Sequence, residues 1–141
     1  MGRGSRPASH RQRTAADTIY VANLENGEGN GTVSVINGAI CNATTTTGCG
    51  HTPPSVAVGF GPNAVAFDPA NQAVVVTNIE DTSVSVIHAA TCNATITVGC
   101  HRAQPKFPAG RGPATLAIDP AVRTIYISNG DNTLSIIPAT R

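Results

Sequence analysis

Thr32–Cys49 reads TVSVINGAICNATTTTGC, and Ser83–Cys100 reads SVSVIHAATCNATITVGC. Each copy sets a short apolar strand, Val33–Ile36 or Val84–Ile87, in front of a loop bounded by two cysteines. Recurrence at a fixed distance is the mark of a repeat architecture. Cys41 and Cys92, Cys49 and Cys100, Pro62 and Pro113, Asp68 and Asp119, and Pro69 and Pro120 all lie 51 positions apart. Five anchors at one spacing identify a duplicated unit of about 51 residues.

Outward from the cysteine segment the rest of the unit fills in. TIYVAN at 18–23 returns as AVVVTN at 73–78 and TIYISN at 124–129. In the first of these Ile19 and Val21 point one way and Tyr20 and Ala22 the other. A strand that is apolar on both faces must be covered on both sides. Further strands are expected at Ser55–Val58 and Ala64–Phe67, the second ending at Asp68-Pro69. Gly, Pro, Asn and Asp turns separate them, and no segment of helical period is long enough to count. The expected class is all-β, built from four-stranded antiparallel units, and a unit of this size and strand number is the mark of a β-propeller blade. With strands lettered A to D from the inside of a blade outward, the chain reads BCD, ABCD, ABC. These ten strands make about two and a half blades and an incomplete ring.

Tyr20-Val21-Ala22-Asn23, Val76-Thr77-Asn78 and Tyr126-Ile127-Ser128-Asn129, each followed by a turn and VSVI or LSII, resemble YVTN-type β-propeller repeats. The resemblance covers Thr18–Arg141. It implies a bacterial or archaeal surface or secreted protein, or the propeller part of an enzyme, and its motifs specify the blade without specifying chemistry.

The 141-residue chain is 40% hydrophobic and 12% charged, a globular composition, with no Trp, two Tyr and three Phe. Its core must therefore be assembled from many small β-branched side chains, which suit strands. Residues 1–17 hold Arg3, Arg6, Arg11 and Arg13 against Asp17, a net +3 out of +1 overall. This stretch has neither strand nor helix period and is read as a disordered basic tail, leaving residues 18–141 as the partial propeller. The remainder is net negative, which argues against nucleic acid as its partner. No apolar run approaches the roughly 20 residues that span a bilayer, and no secretory h-region opens the chain. The cysteines nevertheless suggest an oxidising compartment, extracellular or in the cell envelope, with the native N-terminus expected to lie further upstream.

Each cysteine pair has the form C-x7-C, short enough for a local disulfide and unlike the C-x2-C pairs of structural zinc sites. The pairing expected is Cys41 with Cys49 and Cys92 with Cys100. Metal binding with His51 and His101 is the alternative, but His51 aligns with Arg102 and His101 with Gly50. Asn42-Ala43-Thr44, Asn93-Ala94-Thr95 and Asn30-Gly31-Thr32 match the glycosylation acceptor pattern and are read as turns. Gly59-Phe60-Gly61 and Gly110-Arg111-Gly112 are followed by Pro and a strand, so the helix N-terminus of a phosphate loop is missing.

Alternating strand direction sets these glycine crossovers and the B–C turns on one face and the cysteine loops and Asp-Pro turns on the other. A protein or small-molecule ligand at the channel mouth would meet Phe60, Asn63, Asn78, Arg111 or Asn129; the competing reading is that Asn78 and Asn129 only close turns. Asp68, Asp119, Asp81 and Asp131 recur with the repeat, as turn residues do and catalytic groups do not. No catalytic residue, metal ligand or cofactor is expected. The function expected is a non-enzymatic binding or structural module within a larger extracytoplasmic protein. The alternative is a fragment of a propeller enzyme, lactonase-like or lyase-like. Further blades in the same chain are the expected neighbours, ahead of a homo-oligomer.

Overall fold

A computed structural model describes residues 17–24 and 31–139. The basic tail with Arg3, Arg6, Arg11 and Arg13 lies outside the described residues, as do Gly27, Gly29 and Asn30 of the first long loop and Thr140 and Arg141.

Ten strands form three antiparallel sheets. The first sheet runs β1 (Thr18–Asn23), β2 (Thr32–Asn37), β3 (Ser55–Ala57). The second runs β4 (Pro62–Asp68), β5 (Ala73–Asn78), β6 (Ser83–His88), β7 (Lys106–Pro108). The third contains β8 (Pro113–Asp119), β9 (Thr124–Asn129) and β10 (Leu134–Pro138), with β9 in the middle. None of the three closes on itself. The expectation of an all-β antiparallel chain is thus met, and the strands fall where period-two runs of Val, Ile and Thr sit between turns.

Those turns have identifiable chemistry. Asp68 Oδ1 accepts from Ala70 N at 3.1 Å and Asp119 Oδ1 from Ala121 N at 3.0 Å, so each Asp-Pro pair folds its own side chain onto the backbone. Gln72 and Arg123 then turn through the left-handed region at φ 50° and 52° to enter β5 and β9. The sequence reading contained no helix. One 3-10 turn, Val98–His101, nevertheless closes the second cysteine loop, where four residues are too few to show a period.

β5 is the spine of the packing. Its register sets Val74 opposite Ile87 and Val76 opposite Ser85 on one face, and Val75 opposite Val86 and Thr77 opposite Val84 on the other. Every residue from Ala73 to Asn78 is buried. The first face meets Tyr20, Val33, Val35 and Val56 of the first sheet, together with Cys92 and Cys100, in one core. The opposite face meets Ile125 and Ile127 of the third sheet in a second core, with Leu116, Ile118 and Ile137 at its margin. Burying a Val or Ile side chain contributes about 1.5–3 kcal/mol, so the consecutive Val74, Val75 and Val76 tie both neighbouring sheets to the middle one. Hydrogen bonds also cross between sheets: Asn63 Nδ2 donates to Ala114 O at 3.2 Å and Thr77 Oγ1 donates to the same carbonyl at 2.9 Å. Thr115, Ala117, Ser128, Leu134 and Ile136 of the third sheet are exposed, with Leu134 and Ile136 at 59% and 62%.

Candidate functional site

Backbone hydrogen bonds assemble one rim from crossovers and turns. The crossover after β3 lies against the β5–β6 turn through Ile79 N to Gly61 O (2.8 Å) and Glu80 N to Phe60 O (3.2 Å). The crossover after β7 lies against the β9–β10 turn through Gly130 N to Arg111 O, at 2.9 Å. Gly61 and Gly112, at φ 67° and 62°, occupy the left-handed region that glycine enters without steric cost. Gly59 answers a different need: a methyl built on it would lie 2.6 Å from Asn78 Nδ2.

Beneath the rim one arrangement occurs three times. Asn78 Nδ2 donates to Ser83 Oγ (3.1 Å) and Ser85 Oγ (3.0 Å). Asn129 Nδ2 donates to Thr133 Oγ1 (3.0 Å) and Ser135 Oγ (2.9 Å). Asn23 Nδ2 donates to Thr32 Oγ1 (3.0 Å) and Ser34 Oγ (2.9 Å). Asn23, Asn78 and Asn129, the last residues of β1, β5 and β9, therefore clasp hydroxyls at the start of the following strand of the same sheet, and at Asn78 and Asn129 the crossover glycine of the preceding sheet, Gly59 or Gly110, packs on the clasp. Ser135 Oγ also accepts from Gly110 N at 3.0 Å, which ties the second crossover to the third sheet.

The five residues expected at a ligand mouth divide accordingly. Asn78 is fully buried and Asn129 nearly so, and both carboxamides are engaged in the clasp. Asn63 is half-buried and bonded to Ala114 O. Phe60 is exposed, with its N–H directed at Asp81 Oδ2 (3.4 Å), and Arg111 is exposed. The same Asp81 oxygen pairs with Lys106 Nζ at 3.0 Å. On the third sheet, the Thr133 hydroxyl donates to Asp131 and holds its carboxyl below the usual carboxylate range, with the Arg111 charge acting in the same direction. The structure thus sets Phe60 beside the β5–β6 turn and Arg111 beside the β9–β10 turn, and it commits Asn63, Asn78 and Asn129 to internal hydrogen bonds.

The clasp hydroxyls Ser83, Ser85, Thr133 and Ser135 were missed in the sequence reading. Their signal is there: T-V-S, S-V-S and T-L-S follow the three asparagines in register. Asn78 Oδ1 and Asn129 Oδ1 are buried without a hydrogen-bond partner, so these two clasps each leave one acceptor over.

The opposite rim carries the cysteine loops. Cys41 is bonded to Cys49 and Cys92 to Cys100, and no described cysteine is free. Both loops have the same internal scaffold. Asn42 Oδ1 accepts from Thr44 N and Thr45 N, each at 2.9 Å, and Nδ2 donates to Gly38 O at 2.7 Å. Asn93 repeats this with Thr95 N (3.0 Å), Ile96 N (2.9 Å) and Ala89 O (2.6 Å). The two asparagines of the acceptor-like triplets are thus turn residues, with Asn93 only 7% exposed. The third such triplet begins at Asn30, outside the described residues.

Among the described residues no group of three or more His, Cys, Asp or Glu side chains is placed to hold a metal ion, and no helix is long and apolar enough to cross a membrane. No protein-family model matches the chain, and a search of curated proteins finds no match.

Proposed function

We propose that the chain is a non-enzymatic β-propeller repeat segment of YVTN type, a binding or structural module of an extracytoplasmic protein. The carrying observation is the threefold Asn–hydroxyl clasp, because it shows where the recurring polar residues go. They tie adjacent strands of each sheet together, and Ser135 of the third clasp also accepts from Gly110 N of the preceding crossover. Polar groups that repeat in this way support a scaffold role, as do the rim carboxylates Asp81 and Asp131, which recur with the repeat. Phe60 is an exposed aromatic and Arg111 an exposed cation there, groups suited to contacting a ligand. The stacking of three sheets through alternate faces, each linked to the next by a glycine crossover, supports successive blades. Two closed disulfides support an oxidising compartment.

Two measurements test this reading. Protein recovered from its native compartment without reductant is expected to show no titratable thiol; four would refute the assignment of compartment. A crystal structure with the neighbouring repeats in place tests the blade arrangement: β4 and β8 are expected side by side facing a common axis, and a flat stack with no inner edge would exclude a propeller. Lactone hydrolysis or polysaccharide cleavage that disappears in Arg111→Ala would overturn the non-enzymatic reading.

A further inference from the structure

The tips of the two cysteine loops share a backbone and differ in their hydroxyls. Thr44–Thr47 reads TTTT where Thr95–Val98 reads TITV, so Ile96 and Val98 stand where the first loop has Thr45 and Thr47. Cys49 N donates to Thr46 O at 3.1 Å and Cys100 N to Thr97 O at 3.0 Å, while Gly48 N to Ile40 O and Gly99 N to Thr91 O are both 2.8 Å. Valine has the shape of threonine without the hydroxyl, so the loop folds without a hydroxyl at position 47. The other threonines are partly committed: Thr44 Oγ1 donates to Asn42 Oδ1 at 3.0 Å, and Thr45 is half-buried. Thr47 is exposed, and its hydroxyl has no hydrogen-bond partner among the described residues.

That exposure does not depend on what lies in front of the first sheet, because the second loop shows what a sheet beneath the loop covers. There Tyr20 Oη donates to Cys92 O at 2.7 Å, Ala94 N donates to Thr18 Oγ1 at 2.8 Å, and Cys92 and Cys100 are 1% and 2% exposed. Val98 at the tip of this seated loop is nevertheless 59% exposed. On the other flank of the first loop its successor is already in place, with Ala94 lining a cleft shared with Cys41, Cys49 and Pro53. Position 47 thus faces solvent whether the base of the loop is covered or open. Its surroundings are neutral as well: no Asp, Glu, Lys or Arg occurs from Gly31 to Phe67, and six of the twelve residues in Thr44–Ser55, TTTTGCGHTPPS, are Ser or Thr, beside two prolines. Hydroxyl-rich stretches with proline on an exposed surface have the composition of O-glycosylated polypeptide.

We propose that Thr47 is an acceptor for O-linked glycosylation, taking a hexose or N-acetylhexosamine from a sugar activated as a phosphate ester, in a reaction run by a glycosyltransferase. Thr47 Oγ1 forms a bond to the anomeric carbon, and the bond from that carbon to the phosphate oxygen breaks. The phosphate leaves with the electron pair, and the hydroxyl proton passes to the transferase's general base. The Cys41–Cys49 bond and the Asn42 hydrogen bonds hold the tip in one shape before the enzyme meets it, which lowers the ordering cost of binding. Acceptance at Thr47 needs only this loop tip and not a closed ring of blades.

The test is site-resolved mass spectrometry of the intact chain purified from its native source, then reduced, alkylated and cut by chymotrypsin after Phe60 and Phe67, which separates the two loops. Whole sugar-residue increments are expected on the first-loop peptide, placed at Thr47 by electron-transfer fragmentation, with none on the second-loop peptide. Alkaline β-elimination is expected to release the sugar and leave a dehydrated residue at 47. Thr47→Val copies Val98 and is expected to lose the increment with the thermal melt unchanged. Three results would each overturn the proposal: an unmodified first-loop peptide, an increment placed on Asn42 or any other residue, or an increment that persists in Thr47→Val.

Discussion

Removing the two disulfides one at a time should have unequal consequences. Each closes a loop of nine residues, and in the chain-entropy description such a closure restricts the unfolded chain by about 2.6 kcal/mol at 25 °C. That contribution is common to both. The surroundings are not: Cys49 is exposed and Cys41 half-buried, whereas Cys92 and Cys100 are 1% and 2% exposed within the first core. Cys41→Ser/Cys49→Ser is therefore expected to cost about 2.6 kcal/mol. Cys92→Ser/Cys100→Ser adds two hydroxyls in an apolar pocket, at about 1–3 kcal/mol each when unpartnered, for a total of about 5 kcal/mol or more. A domain stable by 5–15 kcal/mol would be left near its unfolding threshold by the second change. Urea denaturation followed by far-ultraviolet circular dichroism measures both. With a slope of about 1–3 kcal/mol/M, the first variant's midpoint falls by about 1–2.5 M and the second's by about twice that. Cys92→Ala/Cys100→Ala separates the causes, since it removes the hydroxyls and should recover part of the difference. Equal losses in the two serine pairs would refute the unequal seating of the loops.

Three further perturbations probe the remaining links. Tyr20 is buried and its phenol pKa is pushed well above the ordinary range by that burial. The unfolded chain therefore loses this proton first, near pH 10, and stability from Tyr20 is constant below about pH 10 and falls as pH rises further. Tyr20→Phe should lower stability by about 1–2 kcal/mol at neutral pH, by leaving Cys92 O unpaired, and should flatten the alkaline limb of a pH–stability curve. Thr82 holds φ 44° where the other repeats place Gly31 and Asn132, a costly conformation for a β-branched residue. Thr82→Asn should stabilise by about 0.5–1 kcal/mol, read as a rise in melting temperature of about 2–4 °C. Asn78→Ala should cost about 2 kcal/mol by unpairing buried Ser83 and Ser85, and Asn129→Ala less, because Thr133 is exposed; paired thermal melts would show the order.

Most of the strand plan was legible because two signals coincide in each repeat. Period-two β-branched runs mark the strands, and Asp-Pro, Gly-x-Gly and Asn turns mark their ends. The cysteine pairing was legible for a similar reason: C-x7-C on a short loop leaves few other geometries within reach of a bond. The ligand mouth was not legible at the level of side chains. Sequence position places Asn63, Asn78 and Asn129 near one rim, but whether a carboxamide points outward or ties down a neighbouring hydroxyl depends on cross-strand register. That register sets Asn78 opposite Ser83 and Val76 opposite Ser85, so the buried amide lies within reach of both hydroxyls.

The unequal seating of the two cysteine loops was illegible for a deeper reason. The two cysteine loops are nearly the same in sequence and in internal hydrogen bonding, yet one is buried and the other stands open. Local sequence fixes the shape of the loop, while its burial depends on whether a sheet precedes it in the stack. Thr18 and Tyr20 in one repeat, and Ala73 and Val75 in the next, then decide whether the strip beneath offers hydrogen bonds or only apolar surface. Equivalent residues in a repeat need not meet equivalent neighbours.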